Sequence, residues 1–227
     1  MVNQLIAALP RRERERIVDG CEAVDLALGA VLCESGQAFR QAYFPLNGFV
    51  SMVAIVAGHP PLEMGQVGSE GIVGASLALG LNLAPLRGVV QAPGAALRMS
   101  AAQLRHELYS CPALARALNL YLYLWMSQLA QTAACNRFHQ VNARLARWLL
   151  MTHDRAHADH FHLTHQYLAD MLGVQRSAVT IAAGALQQRK LIRYTRGEIR
   201  VLAREGLEEA SCECYATVKR DYRQLLG

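Results

Sequence analysis

A chain of 227 residues with 52% hydrophobic content can bury one large core or two modest ones, and typical domain sizes of about 100 to 150 residues favour two. The formal charge of +5 is unevenly spread: residues 1–140 hold ten Lys/Arg against nine Asp/Glu, residues 141–227 thirteen against nine. Between Arg176 and Arg200 six basic residues face one acid, Glu198, the footprint of a surface that meets a polyanion. Six scattered cysteines in a chain too long to need disulfide staples, with no signal peptide read at its start, point to a reducing cytoplasm.

The first twenty residues, with Leu5, Ile6, Leu9 and Ile17 apolar and signs alternating from Arg11 to Arg16, predict one or two short surface helices. From Ala23 to about Leu104, brief apolar runs punctuated by glycine (AVDLALGAVLCESG, YFPLNGFVSMVAIVAG, VGSEGIVG, GVVQAPGAALRMS) predict short strands in a barrel or roll. Pro112 suits the first turn of a helical stretch of about forty residues. Its uncharged segment Ala117–Asn136 has the length of a membrane span, but Asn119, Ser127, Gln128, Gln131 and Thr132 argue against one, and no membrane partner is expected. Ala115, Leu118, Leu122, Trp125, Leu129, Thr132 and Asn136 repeat at three-four spacing, the seam of a two-stranded dimer; the alternative is a helix buried on its own roll. A second helix follows from Val141, with a hinge expected near Arg137 to Gln140.

LTHQYLADMLGVQRSAVTIAAGALQQRKLI reads as two short helices meeting at a sharp turn. Thr164 is placed to cap the first, Ala169 supplies the small residue at closest approach, and Gly173 the left-handed residue that ends it. Val174, Val179 and Ala182 form the inner face of the second helix, leaving Gln175, Arg176, Ser177, Thr180 and Ile181 outward, at the end that enters the major groove in a helix-turn-helix. LIRYTRGEIRVL adds a two-stranded wing turning at Gly197. Arg189, Lys190, Arg193 and Arg196 are expected on phosphates, and Arg176 on a guanine edge.

This arrangement resembles the Crp/Fnr family of bacterial transcription regulators over essentially the whole chain, most strongly in LTHQYLADMLGVQRSAV and less so in YFPLNGFVS and VGSEGIVG. The resemblance implies an α+β chain: an N-terminal double-stranded β-helix (jelly-roll) sensor domain over residues 1–111, a long dimerisation helix and hinge over 112–140, and a winged helix-turn-helix over 141–227. It implies double-stranded DNA, a second copy of the chain and RNA polymerase as partners, with dimer contacts at Leu118, Leu122, Trp125, Leu129 and Thr132. The family's usual reader has Glu and Arg where Ser177 and Ile181 stand, so a different half-site is expected.

The sensor half departs from the family's cyclic-AMP-binding members. Their phosphate-binding Arg-Ser pair falls on Ala84-Pro85, with Arg87 three residues late, and their Thr-Ser pair on the long helix falls on Leu129-Ala130. Only Glu70 matches the ribose contact. Glu70, Arg87, Leu129 and Ala130 therefore mark where an effector pocket would lie, and a small-molecule effector is either unknown or absent; no cofactor is assigned. Cys21 and Cys33 stand alone, which argues against an iron-sulfur cluster, while His59, His106 and Cys111 are the candidate haem ligands. His153, His157, His160, His162 and His165 read as a polar loop, and the Cys212/Cys214 spacing carries no strong structural-metal signature, so no metal ligand is expected. No nucleophile-base pair or phosphate loop supports catalysis. The rival to a DNA-binding regulator is a β-roll that binds a small ligand and whose C-terminal domain is a protein-interaction module.

Overall fold

The computed structural model describes residues 2–226. Two short helices, α1 (Gln4–Ala7) and α2 (Arg11–Asp19), precede β1 (Glu22–Leu26), β2 (Val31–Cys33), β3 (Gln41–Pro45), β4 (Phe49–Ala54), β5 (Leu62–Val67), β6 (Arg87–Ala92) and β7 (Gly94–Ser100). These strands form two antiparallel sheets, ordered β1-β7-β3 and β2-β6-β4-β5, that make the expected roll. Phe44, Val50, Val67, Ile72, Val90, Ala96 and Met99 fill its interior. Leu5, Ile6 and Ile17 join that core, so the N-terminal helices cap the roll.

Helix α3 (Ala101–Ser110), which the glycine rhythm does not announce, leads into α4 (Pro112–Phe138), a 27-residue helix with Pro112 in its first turn. The backbone breaks at His139 and Gln140, both extended, before α5 (Val141–Ala156). The C-terminal part comprises β8 (His160–His162), α6 (His165–Leu172), α7 (Arg176–Gln188), β9 (Ile192–Thr195), β10 (Glu198–Val201), α8 (Arg204–Ala210) and α9 (Cys214–Leu226). The sheet order β8-β10-β9 makes the expected two-stranded wing three-stranded. Among the described residues no helix is long and apolar enough to cross a membrane.

The inward face of α4 carries Leu114, Leu118, Tyr121, Leu124, Gln128, Thr132 and Cys135. Of the seam expected from spacing, Leu118 is wholly buried in the roll core and Thr132 accepts from Arg147 Nη2 at 3.2 Å, so these two face their own chain. Leu122, Trp125 and Leu129 lie half-buried at the edges of this face. The outward stripe is instead Asn119, Tyr123, Met126, Ala130, Ala133 and Arg137, with the same three-four rhythm rotated by one position. Helix α9 packs along α4 on another side, carrying Tyr222 and Leu226 onto the roll core.

The roll and the C-terminal part meet through buried polar contacts between β5 and α5. Glu63 accepts from Ser51 Oγ at 2.5 Å, Trp148 Nε1 at 2.8 Å and Gln66 Nε2 at 3.2 Å. Gln66 also reaches Thr152 Oγ1 at 3.2 Å, and Arg155 Nε donates to Glu70 at 2.8 Å with both side chains nearly covered. Burial raises the Glu63 carboxyl to about 7 despite these donors. An acid whose folded pKa lies above its unfolded value binds more protons folded than unfolded, so its penalty is absent at low pH and grows as pH climbs toward 7. We expect folding stability to fall over that window by an amount on the order of 3 kcal/mol at most. Glu63→Gln, which mimics the protonated acid, should flatten this part of the pH profile in urea denaturation and raise stability above pH 7.

Candidate nucleic-acid interface

The two helices of the helix-turn-helix form for the reasons their residues suggest. Thr164 Oγ1 accepts from Tyr167 N at 3.1 Å and starts α6. Gly173, at φ 63°, ψ 42°, ends it, while Val174 N bonds Ala169 O at 3.0 Å. Ala169 is buried at the closest approach, and Leu168, Val179, Ala182, Ala183 and Leu186 close the core between the helices and α5. A larger side chain at Ala169 would separate them.

Helix α7 then projects its first turns outward. Gln175, Arg176, Ser177 and Thr180 are exposed, and Ile181 is 70% exposed despite being aliphatic. Behind them lies a brace that sequence spacing did not reveal. His165 stacks on Tyr194 with ring centroids 4.1 Å apart, and its Nδ1 meets Thr180 Oγ1 at 2.9 Å. Because Thr180 Oγ1 donates to Arg176 O at 3.0 Å, it accepts from His165 Nδ1–H. Burial, and then the nearby Arg176 charge, lower the His165 pKa and so favour the neutral ring. Thr180 is thus tied to α6 and the wing through His165.

The wing turns at Arg196 and Gly197, both at positive φ (50° and 88°), the two-residue reversal that matches strand twist. Arg189, Lys190, Arg193, Arg196 and Arg200 are exposed around α7 and the wing. A cleft of about 610 Å³ separates the α6–α7 turn from the β4–β5 hairpin, with Leu62 against Gly173.

The residues expected to line an effector pocket are not brought together. Glu70 is engaged by Arg155, and Arg87 Nη2 pairs with Glu34 at 2.8 Å. Tyr121 of α4 fills the space over the Gly68–Gly71 turn so closely that a Cβ on Gly71 would collide with its hydroxyl. Leu129 is half-buried on α4 and Ala130 exposed. Glu70 does border a cavity of about 270 Å³, but most of its other lining comes from α5 and α9, including Arg155, Tyr222 and Leu226, with Gln4 of α1. The haem candidates disperse: His59 is on the hairpin, His106 is exposed on α3, and Cys111 caps α4.

The five clustered histidines also part company. His153 lies between Asp159 and Arg204, His160 and His162 both pair with Glu198 at 2.7 Å, and His157 ends α5. Cys212 and Cys214 come together with Cys135 of α4 and His139 at its end, and the four possible ligand atoms lie within 4.8 Å of one another. The bond from Cys212, then His139 and Arg147, hold the Cys135 thiol below its ordinary pKa, while the same pairing raises Cys212.

Residues 143–210 match the family model for the Crp-like helix-turn-helix domain. The c-di-GMP-responsive global regulator CLP of Xanthomonas campestris has a similar structure (TM-score 0.68, 18% identity, 85% of this chain and 99% of that one). So do FixK2 of Bradyrhizobium japonicum (TM-score 0.69, 14% identity, 85% and 98%) and a Crp/Fnr-family transcriptional regulator of Thermus thermophilus (TM-score 0.68, 21% identity, 84% and 98%). No curated protein matches the chain by sequence. The molecule therefore has the β-roll and C-terminal helix-turn-helix architecture of the Crp/Fnr transcription regulators. Its helix-turn-helix, over residues 143–210, is of the Crp-like type.

Gly173→Ala should cost about 1 to 2 kcal/mol in chemical denaturation, since a β-carbon disfavours the left-handed conformation and would meet Leu62 Cδ1 at 2.8 Å.

Proposed function

We propose that the chain is a homodimeric, sequence-specific DNA-binding regulator that reads a near-palindromic operator with α7. The observation that carries this is the exposed first turn of α7, Gln175 to Ile181, standing beside a wing and loop rich in arginine. Residues 1–111 serve as the sensor-like domain, 112–140 as the dimer helix and hinge, and 141–227 as the reading domain. Arg176 reads a guanine and Ile181 a thymine methyl, while Arg189, Lys190 and Arg196, with Thr164 at the start of α6, hold the phosphate backbone. Two copies pair along the outward stripe of α4 through Tyr123, Met126 and Ala130, flanked by Leu122 and Leu129. The recognition helices then lie about 34 Å apart, one turn of DNA.

In selection from random duplexes followed by binding assays, Arg176→Ala should lose about 1 to 3 kcal/mol and relax one base position. Arg196→Ala should weaken all sequences alike and reduce the salt slope by about 1. An Arg176→Ala protein with unchanged affinity and preference would show that Arg176 is not the reader. Salt-independent or absent DNA binding would favour the protein-interaction alternative. Met126→Glu should shift the chain to monomer in analytical ultracentrifugation.

We further propose that the family's cyclic-nucleotide site is not used here, a reading supported by the Glu70–Arg155 and Arg87–Glu34 pairs and by Tyr121 over the turn. A phosphodiester would find no free guanidinium at Ala84-Pro85. Millimolar cyclic AMP should change neither melting temperature nor DNA affinity; a clear rise in either would restore the effector.

A further inference from the structure

We propose that Cys135, His139, Cys212 and Cys214 form a mononuclear Zn²⁺-type site that fastens the end of α4 to the start of α9. Cys135 lies in the last turn of α4 and His139 is the extended residue that ends it, while Cys212 lies in the segment joining α8 to α9 and Cys214 begins α9. Three sulfurs and one imidazole nitrogen are a common donor set of structural zinc. A tetrahedron with Zn–S bonds of about 2.3 Å has edges of about 3.8 Å. Cys135 Sγ and Cys212 Sγ are 3.6 Å apart, and Cys214 Sγ is 3.4 Å from His139 Nδ1. With all four atoms inside 4.8 Å, there is room between them for one ion and none for a cluster of several.

Two further observations fit a bound cation. The outer nitrogen of His139 faces Glu213 Oε1 at 3.1 Å, so Nε2–H donates to the carboxylate and the Nδ1 lone pair turns inward, the orientation typical of metal-bound histidine. Gln131 Nε2 likewise donates to Cys214 Sγ at 2.9 Å, which favours an electron-rich sulfur. The second observation is charge. Arg144 and Arg147 of α5 are each only 7% exposed, and among the described residues neither pairs with a carboxylate; Arg147 Nε has no hydrogen-bond partner. Buried guanidinium groups without an opposing charge are costly. A divalent ion held by three thiolates and a neutral imidazole carries one net negative charge, which offsets that cost at the place where it arises. Metal entry releases the remaining thiol protons to solvent, and no oxidation is involved.

The site lies beside the break at His139 and Gln140, so a bound ion restrains the hinge from the α9 side as the β5–α5 contacts restrain it from the roll. A disulfide between Cys135 and Cys212 is the competing use of these sulfurs, but it would leave Cys214 and the inward His139 nitrogen without a role.

The test uses the full chain purified in reducing buffer. Elemental analysis should give one zinc per chain, and titration of the metal-free chain with Co²⁺ should produce thiolate-to-cobalt charge-transfer and tetrahedral visible bands that Zn²⁺ abolishes. Cys135→Ser and Cys214→Ser should lose those bands, while Cys21→Ser and Cys33→Ser keep them. Glu213→Gln, which leaves the ligands in place, should retain the bands and weaken affinity about 10- to 100-fold, a readout independent of whether ligand variants fold. No thiolate bands in the folded wild-type chain, bands that persist in the Cys135→Ser/Cys214→Ser double variant, or a Cys135–Cys212 disulfide that forms under air equally with and without Zn²⁺ would overturn the proposal. None of these readouts depends on DNA binding.

Discussion

The arrangement of this molecule depends on a polar contact buried between β5 and α5. Taking Glu63, Gln66, Glu70 and Arg155 out of water is unfavourable unless each finds a partner; Ser51 supplies one from within the roll, but Trp148, Thr152 and Arg155 do so only when the roll and α5 sit in one relative position. An apolar contact of the same area would tolerate sliding; this one does not, because displacement strands a charge or an amide. The same network engages the Glu70 carboxylate, which is paired with Arg155.

That occupation accounts for the form of the α4 face. Tyr121 covers the turn before Ile72 and Thr132 is bonded to Arg147, so the inner side of α4 is committed to its own chain. The apolar residues it leaves outside, Tyr123 at 58% and Met126 at 60% exposure, are large, and they follow one another at heptad spacing. The helix thus has two apolar faces with different tasks, which is why its uncharged sequence looks like a membrane span.

At its far end α4 contributes to a second fastening, made of sulfur and imidazole rather than carboxylate and guanidinium. Arg144 and Arg147 connect the two: they leave α5 toward Asn136 and Thr132 of α4, the first also donating to Leu172 O at the end of α6. The helix-turn-helix is therefore mounted on α5, and α5 is gripped on both sides. His165 completes the mounting by tying Thr180 to the wing, so the exposed vocabulary of α7 is carried on a rigid support.

Sequence by itself determined the helix-turn-helix, because everything that makes it is local. A cap, a small residue, a left-handed glycine and an apolar periodicity act within a few residues, and the wing follows from two short strands about Gly197. It also determined the roll, through strand-length apolar runs between glycines, though not α3, which that rhythm does not announce. Tertiary structure decided which face of α4 turns inward, because both faces are apolar and only the roll and α9 choose between them. It decided the fate of Glu70, whose partner lies 85 positions away, and it brought Cys135 and His139 to Cys212 and Cys214. The helical spacing of the first pair was visible in the sequence, but a four-ligand set is defined by atoms in space, and chain separation hides it until the helices pack.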